Sequence, residues 1–137
     1  MTGWGFVRRL SSSAVFAAML IAITSAYASV EISAKPTQNI TGSGGICTPT
    51  AKKAVLNVTD LANMLTSSDT TVTSGSLAID IEIDASLIWV SPQRLTLDSY
   101  HSIAFNKPVV VAGTGAITIK TNDGGSGGDF QFSKKGR

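Results

Sequence analysis

Cysteine and histidine are almost absent from this chain, and their scarcity excludes several kinds of site. Cys47 is the only cysteine and His101 is the only histidine. A single cysteine cannot form an intramolecular disulfide, and it cannot build a cysteine-based zinc site. We expect Cys47 to be a buried or inert thiol rather than a route to a disulfide-linked dimer.

Charged residues are also few, at 15% of the chain, and they balance. Arg8 and Arg9 lie in a segment that we expect to be removed on export. The rest of the chain then carries nine basic and nine acidic residues, so its formal net charge is zero. Nucleic-acid-binding domains usually carry a clustered basic surplus, and we therefore expect no nucleic-acid partner.

The chain lacks an apolar run long enough to span a bilayer as a helix. Residues 14–23 form an unbroken run of ten apolar residues, whereas a spanning helix needs about 20. The run follows Arg8 and Arg9 and precedes Ala26-Tyr27-Ala28, an order typical of a secretory signal peptide. We predict a signal peptide over residues 1–28, with Ala26 and Ala28 as the small residues of the cleavage site. Ser29 is then the new N-terminus.

Two alternatives accompany this prediction. The segment could remain as an uncleaved N-terminal anchor, and the paired arginines raise the twin-arginine export route. The residues around that pair do not complete a convincing twin-arginine motif, so we favour general secretion. The mature chain is expected to have no transmembrane span.

What the chain does contain is an internal repeat at an offset of 22 residues. Residues 81–97 align without a gap with residues 103–119. Apolar residues coincide at 81/103, 83/105, 87/109, 88/110, 89/111, 90/112, 95/117 and 97/119. Each line holds three short strand-like segments separated by turn residues, which is typical of a solenoid. We predict an all-β fold, a parallel β-helix of about 22 residues per coil. An antiparallel sandwich is the alternative, but it has no reason to repeat its turn spacing.

The rest of the chain divides around this repeat. Residues 29–50 are rich in Ser, Thr, Gly and Pro, and we expect a flexible N-terminal segment. Residues 51–76 are expected to form an N-terminal cap with a short helix at about 59–67, N-capped by Thr59. Residues 77–137 are expected to form the coils, the third incomplete. Leu77–Asp84 alternates apolar and polar residues, which predicts one strand with its odd-numbered residues buried.

Several polar clusters are candidate sites. Asp80, Glu82 and Asp84 form an acidic row, but neighbours on one strand face lie too far apart to share a cation unaided. Residues 124–132 nearly fit the calcium-binding nonapeptide, with Gln131 where a large apolar residue belongs. We favour a solvated face and a corner loop, and we predict no metal site and no cofactor.

Two groups of residues resemble parts of catalytic sites. His101 lies near Asp98 and Ser99, but all three fall in one short turn without an oxyanion hole. Asp98 and Asp123 are separated by about one coil and could stack as the paired carboxylates of a glycoside-cleaving enzyme. No basic or aromatic cluster accompanies them. We predict no catalytic residue and no enzymatic activity.

The segment Leu95–Asn106, followed by Pro108–Gly125, resembles the start of large bacterial surface proteins. These are the filamentous-haemagglutinin-like and autotransporter-passenger-like adhesins. The resemblance covers about residues 46–137 and implies a right-handed parallel β-helix, export across the inner membrane, and surface display or release. It also implies an outer-membrane secretion partner or a fused translocator, and a host-surface or carbohydrate ligand. It transfers no catalytic residue.

The chain departs from that family in two ways. It is much shorter than most members, and it lacks the Asn-Pro-Asn-Gly type of motif associated with two-partner secretion. We therefore interpret it as the N-terminal portion of a secreted or surface-displayed adhesin, from a truncated reading frame. The alternatives are a fragment of a polysaccharide-degrading enzyme and a short periplasmic protein.

Overall fold

A computed structural model describes residues 28–133 of the protein. Most of the predicted signal peptide, including Ala26, and the basic tail 134–137 lie outside the described residues. Within residues 28–133, twelve strands and two helices follow one another. They are β1 (Ser29–Ser33), β2 (Ile40–Ser43), β3 (Ile46–Pro49), β4 (Lys53–Asn57), α1 (Val58–Met64), β5 (Thr70–Thr73), α2 (Gly75–Ala78), β6 (Asp80–Ile83), β7 (Leu87–Trp89), β8 (Arg94–Asp98), β9 (Ile103–Phe105), β10 (Val109–Val111), β11 (Ala116–Lys120) and β12 (Phe130–Phe132).

The strands form three sheets. Sheet 1 has the order β12-β9-β6-β1-β4, sheet 2 consists of β10 and β7, and sheet 3 has the order β11-β8-β5-β3-β2. Every pairing between these strands is parallel except that of β2 with β3. Parallel strands need long connections, so each sheet is assembled from segments that are distant in sequence.

Sheet 1 stacks its inward side chains in two apolar columns. One column runs through Ala54, Val30, Ile81, Ile103 and Phe130, and the other through Leu56, Ile32, Ile83, Phe105 and Phe132. All of these residues are buried except Phe130 and Phe132, which belong to the edge strand β12. The columns form one wall of a single core that also includes Leu95 and Leu97 of sheet 3.

The N-terminal segment is part of this core, so the expectation of a flexible segment over residues 29–50 is wrong. β1 lies inside sheet 1, with β4 on one side and β6 on the other. β2 and β3 form an antiparallel hairpin whose turn uses Gly44 and Gly45 at positive φ, a conformation that glycine adopts without steric cost. The composition suggested a connector because the many turn residues obscured the apolar pattern of three short strands.

The predicted fold class, an all-β right-handed parallel β-helix with an N-terminal capping helix, is wrong. The described residues have mixed α and β content, with both helices inserted between strands. They form three sheets, of which sheet 3 combines parallel and antiparallel pairs. The repeat covers only residues 81–119, where Ile81 pairs with Ile103. It carried no information on the hairpin or on the insertion of β1 between β4 and β6.

Helix α1 begins one residue earlier than its predicted cap. The N-cap is Asn57, not Thr59, and its side-chain oxygen accepts hydrogen bonds from the backbone N–H groups of Thr59 and Asp60. Asn is among the best N-cap residues because its short side chain reaches these free donors. Leu61 is the buried residue of the helix, which packs against β4 and β7.

The strand predicted over Leu77–Asp84 is interrupted. Helix α2 occupies Gly75–Ala78, and Ile79 then adopts φ 69°, so β6 begins only at Asp80. Leu77 and Ile79 are consequently exposed, and Ala78 is buried in their place. Ser74 stabilises this turn by a hydrogen bond from its hydroxyl to the Ile79 carbonyl. The alternating pattern was correct for Ile81 and Ile83 only.

The two apolar columns predict a gradient of stability towards β12. Phe105 is 2% exposed, whereas Phe132, stacked on it at a centroid distance of 4.7 Å, is 45% exposed. Phe105→Ala should lower the free energy of unfolding by about 3–5 kcal/mol, because it leaves a buried cavity. Phe132→Ala should cost about 1 kcal/mol, mostly from the lost ring contact. Urea unfolding of the two variants measures both, and equal losses would contradict the burial gradient.

Candidate functional site

Two aspartates that are distant in sequence meet where β8 and β11 end. Asp98 is the last residue of β8 and pairs with Lys120 in the ladder, and Asp123 lies in the loop that follows. The side chains of Asp98 and Asp123 lie close enough to interact, and Lys120 Nζ lies 3.5 Å from Asp123 Oδ2. The stacking of these carboxylates that their spacing suggested is therefore present.

The environment shifts the pKa values of the two carboxyl groups in opposite directions. Burial raises the pKa of Asp98, and the hydrogen bond to Asp123 and that residue's negative charge raise it further. The hydrogen bond from Asp98 lowers the pKa of Asp123, and the Lys120 ammonium lowers it further. Asp98 is thus the residue of the pair that takes up a proton first as the pH falls.

This pair does not have the geometry of a glycoside-cleaving site. Such enzymes hold their carboxyl groups about 5–9.5 Å apart on either side of the scissile bond. Asp98 and Asp123 instead lie in contact with each other, which leaves no room for a sugar between them. The four principal cavities of the described part are lined by other residues. The contact between the two carboxyl groups therefore works as a structural link between β8 and the loop after β11.

His101 has a different partner from those expected. Its Nδ1 lies 2.9 Å from Asp80 Oδ1 and 3.1 Å from Ser102 Oγ. In a catalytic triad the serine and the carboxylate contact opposite nitrogens of the ring, whereas here both contact Nδ1. Ser99 is fully buried, with its Oγ 2.9 Å from the Ile79 carbonyl oxygen. The cluster therefore ties the turn before β9 to β6.

The sequence contained a signal for the contact between His101 and Asp80. Ser102 stands 22 positions after Asp80, and its backbone N–H donates to Asp80 Oδ1 at 2.8 Å. The repeat offset that aligns Ile81 with Ile103 would have placed these two residues side by side. The residues of the turn itself suggested Asp98 and Ser99 as partners, whereas Asp80 lies on the neighbouring strand.

The acidic row on β6 is divided among separate partners. Asp80 contacts His101, and Asp84 Oδ1 accepts a 2.8 Å hydrogen bond from the side-chain amide of Asn106. Glu82 lies between Glu31 and Ala104 in the ladder. Within residues 28–133, no group of three or more histidine, cysteine or acidic residues is placed to hold a metal ion.

The glycine-rich loop expected at residues 121–128 is closed by protein contacts. The Asn122 side chain donates to the Gly128 carbonyl at 3.0 Å and accepts from its N–H at 2.7 Å. Gly124 and Gly125 lie against the Tyr100 ring, where an added Cβ would come within 3.0 Å of ring carbons. The glycines of this near-calcium motif thus allow the loop to pack closely on the preceding turn.

Cys47 is buried, as expected. It lies on β3 with its Sγ 3.5 Å from Met64 Sδ on α1. Burial raises the pKa of the thiol, which keeps it protonated and a poor nucleophile. Its position indicates a packing role between sheet 3 and α1.

An exposed apolar surface on sheet 2 was not anticipated. Leu87 and Trp89 point into the core, so the intervening Ile88 and the following Val90 point outwards and are 57% and 73% exposed. Val110 pairs with Ile88 in the ladder and is also exposed. We call Ile88, Val90 and Val110 the apolar stripe.

A cavity extends the apolar stripe towards helix α1. It has a volume of about 440 Å³. It is lined by Ala62, Asn63, Thr66, Ile88, Trp89, Val90 and Ser91. The Trp89 indole N–H donates to the Gln93 carbonyl at 3.0 Å, so the one polar group of this ring is satisfied within the fold. The surface offered to a partner is therefore mainly aliphatic.

Comparisons with protein-family models, with curated proteins and with solved structures gave no match. In the part of the chain that the structure describes, no helix has the length and apolar character needed to cross a membrane.

The aspartate pair predicts a specific pH dependence. Asp98 has a raised pKa, so its contribution to stability is present below its ordinary value of 3.8 and is lost as the pH rises through the folded-state pKa. Asp98→Asn removes this loss and should raise the free energy of unfolding at pH 7 by less than about 1 kcal/mol. It should give no gain at pH 3. Urea unfolding at both pH values measures the difference.

The matched control for this experiment is Asp129→Asn, which changes an exposed loop carboxylate. We expect the control to show no gain at pH 7. A loss of stability in Asp98→Asn at pH 7 would show that its ionised form stabilises the fold.

Proposed function

We propose that the protein is exported and acts through contact rather than catalysis, as the N-terminal portion of a secreted or surface-displayed bacterial adhesin or passenger. The observation that carries this proposal is the apolar stripe, which exposes Ile88, Val90 and Val110 together. Soluble proteins rarely leave large apolar side chains grouped on the surface unless the group meets a partner. The arrangement of residues 8–28, typical of a signal peptide, supports export.

The chemistry of the stripe favours a protein partner over a carbohydrate. Sugars are commonly bound by stacking on exposed aromatic rings together with polar groups. The stripe contains aliphatic side chains, and Trp89 beside it is 4% exposed. Aliphatic side chains of a partner protein could enter the adjoining cavity and bury apolar area on both sides.

Display outside the cell would require a further step after the inner membrane. In this proposal an outer-membrane secretion partner or a fused translocator supplies that step, and without one the protein stays in the periplasm. Fractionation of cells that express the full chain with its own leader distinguishes these locations. A product that remains in the cytoplasm would contradict export.

The proposal predicts that polar substitutions in the stripe abolish binding without unfolding the protein. Beads coated with the exported chain are applied to a panel of immobilised extracellular proteins and glycans. Ile88→Ser combined with Val110→Ser should reduce protein binding at least tenfold, because both apolar contacts are lost. Ile46→Ser replaces an exposed apolar residue on β3 and should leave binding unchanged. Equal binding by all three proteins would exclude the stripe as the contact surface.

A polysaccharide-degrading enzyme is the alternative that the sequence left open, and Asp98 and Asp123 are the carboxyl groups that it would use. Because these groups contact each other and leave no room for a sugar between them, we expect no release of reducing sugars from a panel of polysaccharides. The Asp98→Asn and Asp123→Asn variants should give the same background as the unchanged protein. Measurable activity that either substitution removes would establish the enzymatic function instead.

A further inference from the structure

We propose that the bond between Ala28 and Ser29 can be cleaved only before the protein folds, so the chain crosses the inner membrane unfolded. This inference rests on the export that is part of the proposed function. Its basis is the position of β1, which begins at Ser29 and lies in the interior of sheet 1. The predicted cleavage site is therefore joined directly to a core strand, with no spacer.

The backbone that follows the predicted cleavage site is engaged on both sides. Ser29 stands opposite Lys53 of β4 and Asp80 of β6, and its N–H donates to the Lys52 carbonyl at 3.0 Å. A protease must bind its substrate as an extended chain with free backbone groups on both sides of the bond. In the folded protein the neighbouring strands already occupy those groups.

The side chains after the bond are also inaccessible. Ser29 is 8% exposed, and Val30 and Ile32 are fully buried in the two apolar columns. An edge strand could peel away locally, but β1 can leave sheet 1 only if both neighbouring ladders open. Opening of that kind requires a free energy close to that of global unfolding. Folding and cleavage therefore compete for the same segment.

This competition distinguishes two export routes that the sequence left open. The twin-arginine route carries folded proteins, which would arrive with β1 already enclosed by β4 and β6. The general secretion route carries unfolded chains, in which residues 26–30 are accessible when they emerge. Processing at Ala28 is compatible with the second route. A molecule that folds first keeps residues 1–28 and with them the apolar run at residues 14–23.

An order-of-addition experiment with the full 137-residue precursor tests the inference. Precursor unfolded in urea is diluted either directly into buffer containing purified bacterial signal peptidase or into buffer alone, with the peptidase added after refolding. Final conditions are identical, and refolding is checked by circular dichroism. We expect cleavage at Ala28 to be at least about 100-fold slower when refolding comes first, because only the rare open form is a substrate.

Two variants make the result specific to β1. Ile32→Asp places a charge in a fully buried column and should prevent β1 from pairing, so cleavage should be equally fast in both orders. Ile46→Asp changes an exposed residue of β3 and should keep the dependence on order. Equal cleavage of the unchanged precursor in both orders would overturn the inference and leave export intact. Absence of cleavage in every sample, including Ile32→Asp, would overturn the inference together with its premise of export.

Discussion

The structure depends on the in-register stacking of apolar side chains across the parallel strands of sheet 1. Each inward residue of β6 has an apolar neighbour on β1 and another on β9, as Ile83 has in Ile32 and Phe105. Burial of such side chains contributes about 1.5–3 kcal/mol each, and here no disulfide assists because the chain has one cysteine. The position of β1 between β4 and β6 keeps these columns continuous.

Polar groups at the turns hold neighbouring strands in the same register. Asp80 with His101, Asp84 with Asn106, and Asp98 with Asp123 each join residues of successive strands or of the loops beside them. Each pair could be taken for the start of a catalytic or metal site if it were considered alone. In each pair a residue at or next to the end of one strand contacts a residue near the end of the neighbouring strand, which indicates that the pairs align the stack. The contact function that we propose is therefore placed on the apolar stripe and not on these pairs.

The sequence predicted the strands within residues 79–120 well, because apolar periodicity and turn residues recur there in one register. It failed where local geometry competes with that pattern. Helix α2 and Ile79 at positive φ replace the first three residues of a predicted strand, and Asn57 occupies the capping position expected at Thr59. The fold class was missed because β1 joins sheet 1 through partners distant in sequence, which short-range patterns cannot show. The contact between Asp98 and Asp123 could be predicted from their spacing in the sequence. The outward direction of Ile88 could not, because a continuous apolar run does not show which of its residues face the core.

The columns also determine which amino-acid substitutions affect one another. A larger side chain at Ile81 would press against Val30 and Ile103, which stand beside it in the ladder. Its neighbour Glu82 points to the opposite face of the sheet and would not be affected. Substitutions that are distant in sequence but share a column should therefore be energetically coupled, and adjacent substitutions should be nearly additive. Substitutions in this protein should therefore be accommodated together within one column of side chains across the strands, and residues adjacent in the chain belong to different columns.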